Sequence, residues 1–254
     1  MREGGEYVER IAVISDIHGN IPALEAVLND IEKRGIKEIY CLGDLAGKGP
    51  EPEKAVDMIR EKCSVTVRGN WDDFIGNPTE DEAFVWQQQR LGEERIRYLN
   101  TLPFSYDFWM SGRLIRLFHA SADSVFHRVR FTAPLEERLA MFDNTEATGK
   151  GEHTPDVVIY GDVHHAFIQG LKAKSLCNTG SVGNPLDMTQ PSYMILEGEL
   201  HKRQPSSFSM SIVRVLYDVE IAIQVAIDEG LPADELAAYK KELRTARYRG
   251  LPDE

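Results

Sequence analysis

Ile11-Ala12-Val13-Ile14-Ser15-Asp16-Ile17-His18-Gly19-Asn20 decides how the rest of this chain is read. An apolar run ends in a carboxylate and an imidazole two positions apart, which point the same way at the end of an extended segment. Both can therefore grip one metal ion. Gly43-Asp44, Gly69-Asn70, His119 and Gly161-Asp162-Val163-His164 likewise close apolar, β-branched runs. A lone D-x-H carries little weight, because an aspartate after a strand commonly forms a turn or caps a helix. Five ligand-type clusters at five strand ends instead describe a metal site assembled from the whole domain.

The elements around these clusters follow from local pattern. Arg10 to Ser15 reads as a strand. Asn20 then caps a helix with Pro22 in its first turn, and Leu24, Val27, Leu28 and Ile31 recur at helical spacing until Gly35. Glu38 to Leu42 is a second strand, Pro52 to Ile59 a second helix and Ser64 to Val67 a third strand. This order implies parallel strands with right-handed crossovers and ligands at their carboxyl ends. Thr79 to Glu82 reads as a capping box opening a longer helix that Gly92 interrupts. Ser105 to Trp109 and Leu114 to Phe118 form a hairpin through Ser111-Gly112, and Leu135 to Phe142 a short helix. Val157 to Tyr160 presents the last motif. Short strands follow at Phe167 to Gly170, Ser175 to Cys177, Tyr193 to Leu196 and Met210 to Leu216. Helices close the chain from about 218 to 249, broken at Gly230-Leu231-Pro232. Pattern alone accommodates either two packed mixed sheets or one open α/β sheet.

The 254 residues suffice for a sizeable core, and no linker, repeat or low-complexity segment divides them. Ligands spread from Asp16 to His164 must converge, which argues for a single domain over 1–254. With 29 Lys plus Arg against 41 Asp plus Glu, the formal charge of −12 disfavours a polymeric nucleic-acid partner. A small phosphorylated substrate stays compatible, because bound divalent cations would dominate the local field. Cys41, Cys63 and Cys177 are odd in number and lack C-x-x-C spacing, so buried inert thiols are expected rather than a disulfide framework. Met1 to Arg10 is polar, and no stretch approaches the roughly 20 apolar residues that span a bilayer. A cytoplasmic, reduced setting without a membrane is the expectation; oligomeric state stays open.

In its motifs the chain resembles the calcineurin-like metallophosphoesterases, in particular their small single-domain bacterial and archaeal phosphodiesterase-like branch. Gly43-Asp44-Leu45-Ala46-Gly47-Lys48-Gly49-Pro50 matches the family's G-D-x-x-x-x-G-P, and Gly69-Asn70-Trp71-Asp72 stands at its G-N-H-D. Gly161-Asp162-Val163-His164 stands at G-H-x-H, and Asn178-Thr179-Gly180-Ser181-Val182-Gly183-Asn184-Pro185 resembles the branch's tail. The resemblance implies a four-layer α/β/β/α sandwich of two mixed sheets flanked by helices. It implies two divalent ions, the first held by Asp16, His18 and His164, with Asp44 bridging. Asn70 and His119 would hold the second, with Asp162 in place of a family histidine. Asp44 and Asn70 are the positions expected to carry catalysis. Oxygen and imidazole donors without thiolate suit Mn²⁺ or Fe²⁺, with Zn²⁺ as an alternative. Two such ions about 3.5–4 Å apart can hold a hydroxide that attacks a phosphodiester, phosphomonoester or nucleotide polyphosphate.

Two positions depart from the family pattern. Trp71 replaces a histidine thought to protonate the leaving oxygen, and an indole cannot shuttle a proton. His165 and His127 are substitutes to weigh. Asp162 adds a third carboxylate, which would cancel the roughly single positive charge left by two ions, two aspartates and a hydroxide; alternatively it only forms a turn. Substrate contacts are proposed for Asn20, Lys48 and His165, although a helix cap explains Asn20 and a surface lysine explains Lys48. Gly180-Ser181 reads either as a phosphate-facing amide pair or as a tight turn. The rival to a phosphohydrolase is a catalytically weakened interaction or sensing module.

Overall fold

The computed structural model describes residues 8–250; the opening segment, 1–7, lies outside the described residues. β1 (Glu9–Ile14), α1 (Ile21–Lys33), β2 (Glu38–Cys41), α2 (Pro52–Lys62) and β3 (Val65–Thr66) alternate as the sequence implies. A short α3 (Asn70–Phe74) and a long α4 (Glu82–Thr101) lead to the hairpin of β4 (Ser105–Met110) and β5 (Arg113–Phe118). α5 (Leu135–Ala140) precedes β6 (Val157–Tyr160), β7 (Ala166–Leu171), β8 (Lys174–Thr179), β9 (Ser192–Gly198) and β10 (Ser209–Arg214). The helices α6 (Val219–Asp228) and α7 (Ala233–Thr245) come last.

The strands form two five-stranded mixed sheets, ordered β10-β9-β1-β2-β3 and β4-β5-β6-β8-β7. A single open sheet is thereby replaced by the face-to-face sandwich. Period-two alternation explains why β1 can serve two layers at once. Ile11 and Val13 pack between the sheets with Tyr40, Leu42, Ile115, Ile159 and Met194. Ala12 and Ile14 face the opposite way, into a second core with Leu24, Val27 and Ile31 of α1 and Val56 and Ile59 of α2. Beyond the other sheet the covering layer is thin: α5 and its flanking loops supply Val129, Met141 and Phe142 against Val158, Tyr160 and Leu176. Buried Arg116 ties that layer down, pairing with Asp107 at 2.8 and 2.7 Å and donating to the Asp143 carbonyl.

β1, β2 and β3 run parallel, as do β5, β6 and β8. The loops that leave β1, β2, β5 and β6 meet along one rim, where the Asp16 N–H donates to the Gly43 carbonyl and the Gly161 N–H to that of His119. Local readings differ in detail. The cap of α4 is Asp81, whose carboxylate accepts from Phe84 N–H, rather than a Thr79 box. Gly92 kinks that helix at φ 67°. α3 has no counterpart in the periodicity, because five residues are too few to display a helical repeat. Among the described residues no helix is long and apolar enough to cross a membrane.

Gly43 is the tightest point of the rim. At φ 94° it takes a conformation that favours glycine, and an added Cβ would lie 2.3 Å from the Gly69 amide nitrogen. Gly43→Ala is therefore expected to lower stability by more than about 1 kcal/mol. Gly170→Ala, in edge strand β7 with nothing within 4 Å of the new methyl, should be close to neutral. Urea unfolding midpoints of the two variants check the contrast.

Candidate metal centre

Most of the ligand-type residues sit not in the strands but in tight left-handed turns just beyond them, while Asn70 opens α3. Asp16 (φ 55°), His18 (φ 49°), Asp44 (φ 56°), Asp162 (φ 61°) and His164 (φ 56°) all have positive φ. Aspartate and histidine are among the side chains enriched in this conformation, so the residue types that suit a cation also suit the turns. Asp16 and His18 do converge, but the turn brings them together rather than strand alternation. Backbone bonds then lock the first two loops: Ile17 and His18 N–H both donate to the Asp44 carbonyl at 2.9 Å, and Gly19 N–H to that of Leu45 at 3.0 Å.

Donor atoms of Asp16, His18 and His164 lie within 4.8 Å of one another, and so do those of Asp16, Asp44 and His119. All five side chains are buried. Each imidazole is aimed by its far nitrogen. Nδ1 of His18 donates to the Ala46 carbonyl (3.0 Å), that of His119 to Leu42 (2.8 Å) and that of His164 to Asn184. A carbonyl only accepts, so these bonds place the proton on Nδ1 and turn the Nε2 lone pair inward, the arrangement of a metal-binding histidine. His18 Nε2 then lies 3.3 Å from His164 Nε2, and His119 Nε2 lies 2.9 Å from Asn70 Oδ1 and 3.4 Å from Asp44 Oδ2. Asp16 Oδ1 is buried without a hydrogen-bond partner. Facing lone pairs and an orphaned carboxylate oxygen are what a cation resolves, so the residues fit a divalent metal site.

The electrostatics mark the same residues as strongly interacting. Burial pushes Asp44 up, with the Asp16 charge adding to it and His119 and the Trp71 N–H opposing. Burial also opposes ionisation of Asp16, but His164, His119 and His18 hold that carboxylate well below its usual range. His18 is held down by burial and by the nearby Lys48 ammonium. His119 goes up, because Asp44, Asp16 and Asp162 outweigh its burial.

Other candidates separate on this geometry. Asp162 does not face the cluster. Its two oxygens accept from Nε and Nη2 of Arg128, both at 2.9 Å, and only its backbone N–H reaches Asp16 Oδ2 (3.2 Å). The expected seventh ligand is thus a salt-bridge anchor in this arrangement, its charge shared with Arg128. Asn20 is buried with both amide ends used, Oδ1 capping α1 through Ala23 N–H and Nδ2 donating to the Gly183 carbonyl, so it offers nothing to a substrate. Lys48 Nζ is held by Asn184 Oδ1 at 2.6 Å and lies 4.0 Å from buried Glu242, so its ammonium is already engaged. His165 lines the cavity beside His164, and burial lowers its pKa. His127 is exposed and pairs with Asp123 and Glu137 instead. Ser181 makes a turn: its hydroxyl donates to the Asp16 carbonyl (2.8 Å) and accepts from Asn184 N–H.

Supporting residues surround the ligands; Trp71 and Asp72 belong to the third motif, whereas Gln87 carries no local sequence signal. Asp72 accepts from the Asp44, Leu45 and Gly69 N–H groups (2.8, 3.0 and 2.9 Å), clipping the Asp44 loop onto α3; burial and the Asp44 charge push it up to about 6. Gln87 clamps the same loop from α4 through Gly47 N–H and the Gly49 carbonyl. Trp71 gives its backbone N–H to Asp44 Oδ1 (2.8 Å) while its ring meets His18 edge-on at 5.9 Å and stacks on Phe84.

Fold and cluster together define a metal-dependent phosphoester hydrolase. The calcineurin-like phosphoesterase superfamily domain matches residues 10–200, and the chain belongs to that superfamily. It is similar to an uncharacterized protein of Methanocaldococcus jannaschii, 30% identical over 246 residues that cover 87% of this chain and 93% of the relative. Phosphodiesterase YfcE of Escherichia coli K12 is 29% identical over 99 residues, 34% of this chain and 54% of that protein. The crystal structure of a metallophosphoesterase from Sphaerobacter thermophilus superposes with a TM-score of 0.68 at 24% identity, covering 94% of this chain and 99% of that one.

The geometry separates ligands from anchors, and calorimetric Mn²⁺ titration of chelator-stripped variants checks the division. Asp44→Asn and His164→Ala should each lower affinity by more than about 100-fold, beyond what residues supporting a ligand usually cost. Asp162→Asn should lower it by less than about 10-fold.

Proposed function

We propose that this chain is a binuclear hydrolase of small phosphoesters, working in the cytoplasm on phosphodiesters, phosphomonoesters or nucleotide polyphosphates. The convergence of buried Asp16, His18, Asp44, His119 and His164, with half-buried Asn70, on one rim carries this reading. Asp16, His18 and His164 would hold one ion, Asn70 and His119 the other, and Asp44 would bridge them. When bound, such ions lower the pKa of water and draw charge off the phosphoryl oxygens, so no side-chain nucleophile is required. Mn²⁺ or Fe²⁺ suits the donor set best, with Zn²⁺ as the alternative. The free cysteines Cys41, Cys63 and Cys177 support a reducing compartment.

The chain's own residues do the positioning. The Nδ1 bonds of the three histidines fix ring orientation, and Trp71 N–H with the Asp72 clip fixes Asp44. Trp71 cannot deliver a proton to a departing oxygen, and its ring occupies the space beside His18 that a shuttling side chain would need. Esters of acidic alcohols should therefore be favoured, since general acid help is typically worth about 10²–10⁴-fold.

The first test is hydrolysis of an aryl phosphodiester by chelator-stripped protein, with divalent ions added back singly. Metal-stimulated turnover that largely disappears in Asp44→Asn is expected; no turnover with any ion or aryl phosphate would sink the reading. A second test uses aryl phosphates of graded leaving-group acidity on wild type and Trp71→His. The variant should gain most on the poorest leaving groups, giving a shallower slope. Equal slopes would mean that position 71 takes no part in protonation.

A further inference from the structure

Two cavities flank the cluster, and their walls differ in charge. One, of about 320 Å³ on the Trp71 side, is bordered by Asp81, Asp234 and Glu235. Arg249 there is already paired with Glu235 and Glu242. Such walls repel a phosphate ester. The other, of about 340 Å³, shares His164 with the cluster and carries Arg128, Arg130 and His165. On a chain of net charge −12 this basic lining is a local reversal, and it adjoins the reacting centre.

Arg128 is placed for a defined task. Asp162 binds it in parallel through Nε and Nη2, and the Asp162 backbone N–H is itself bonded to Asp16. The guanidinium is thus fixed at the edge of the cluster by the residue that stands where the family pattern has a histidine. Among the described residues only Nε and Nη2 are seen engaged, and its side chain stays 46% exposed. A fixed planar guanidinium with N–H groups to spare is a strong phosphate-oxygen partner.

The same cavity is lined by Phe131, Phe167 and Tyr248. Phe131 is 51% and Tyr248 46% exposed, which leaves large ring surfaces in water beside fixed cations. Phe131 and Phe167 lie with ring centroids 6.0 Å apart. Tyr248 comes from the segment after α7, outside the matched superfamily domain of residues 10–200. The wall thus joins rings from within the matched domain to one from the closing segment. Volume, exposed rings and adjoining cations together match a phosphate bearing a flat ring.

We propose that this cavity is the subsite for the organic group of the substrate, and that it takes a planar aromatic group joined to the phosphoester, as in a nucleoside or aryl ester. Arg128 meets the phosphate, and Phe131, Phe167 and Tyr248 meet the ring. The proposal rests on the phosphohydrolase reading above and names its substrate class.

The test measures binding, not turnover. Inorganic phosphate, propylphosphonate and benzylphosphonate are titrated calorimetrically into Mn²⁺-loaded protein; the phosphonates have no P–O–C ester to hydrolyse. Benzylphosphonate should bind about ten-fold tighter than propylphosphonate. Phe131→Ala and Tyr248→Ala, at exposed positions, should erase that preference and leave inorganic phosphate unchanged. Arg128→Gln should weaken all three ligands while Mn²⁺ uptake persists. Equal affinity for the two phosphonates, or a preference that survives both aromatic truncations, would overturn the proposal while the hydrolase reading stands. Failure of wild-type protein to take up Mn²⁺ and phosphate would overturn both.

Discussion

Asp16 and Asp44 are two carboxylates buried side by side, with His18 Nε2 lying 3.9 Å from one and 3.6 Å from the other. Taking each charge out of water costs several kcal/mol unless it is compensated. The surrounding imidazoles aim Nε2 at the same spot. A cation is the compensation that satisfies every one of these groups together. The rest of the rim serves to hold the two aspartates against their mutual repulsion.

That holding is done by backbone more than by side chains. Left-handed backbone at these five non-glycine residues costs on the order of 1–3 kcal/mol each and persists only where the surroundings over-determine it. Here the surroundings are the carbonyls of Gly43, Asp44 and Leu45, the contact of Gly43 with Gly69, and the three-pronged Asp72 clip. Two apolar cores on either face of β1 keep the strand ends in register beneath them. The floor of the site is consequently stiff, while its basic wall comes from the long loop after β5 and the segment after α7.

Most of the floor was legible because ligation and turn formation ask for the same residue types at the same places. Asp16, His18, Asp44, Asn70, His119 and His164 each follow a strand-forming run, so their convergence could be read from motif order. The wall was not legible. Arg128 and Arg130 alternate with apolar residues and read as no more than strand-edge charges; only the folded chain brings Arg128 to Asp162, 34 positions away. Asp162 itself was read as a ligand from its place in the motif, because no local feature announces the arginine that claims it. The tie from Asn184 to Glu242 spans 58 positions and is equally invisible to pattern. α3 escaped notice for the opposite reason, being too short to repeat.

Trp71 and Asp162, the two departures from the family pattern, now read as different kinds of change. One replaces a proton-carrying side chain with an aromatic ring; the other puts a carboxylate paired with Arg128 at the position of a family histidine. Both readings depend on two ions sharing Asp44. Electron paramagnetic resonance of the protein loaded with two equivalents of Mn²⁺ tests this most directly. An exchange-coupled pair spectrum that collapses to isolated-ion signals in Asp44→Asn is the expected result. Isolated-ion spectra in the wild type, or coupling that survives removal of the Asp44 carboxylate, would contradict the account.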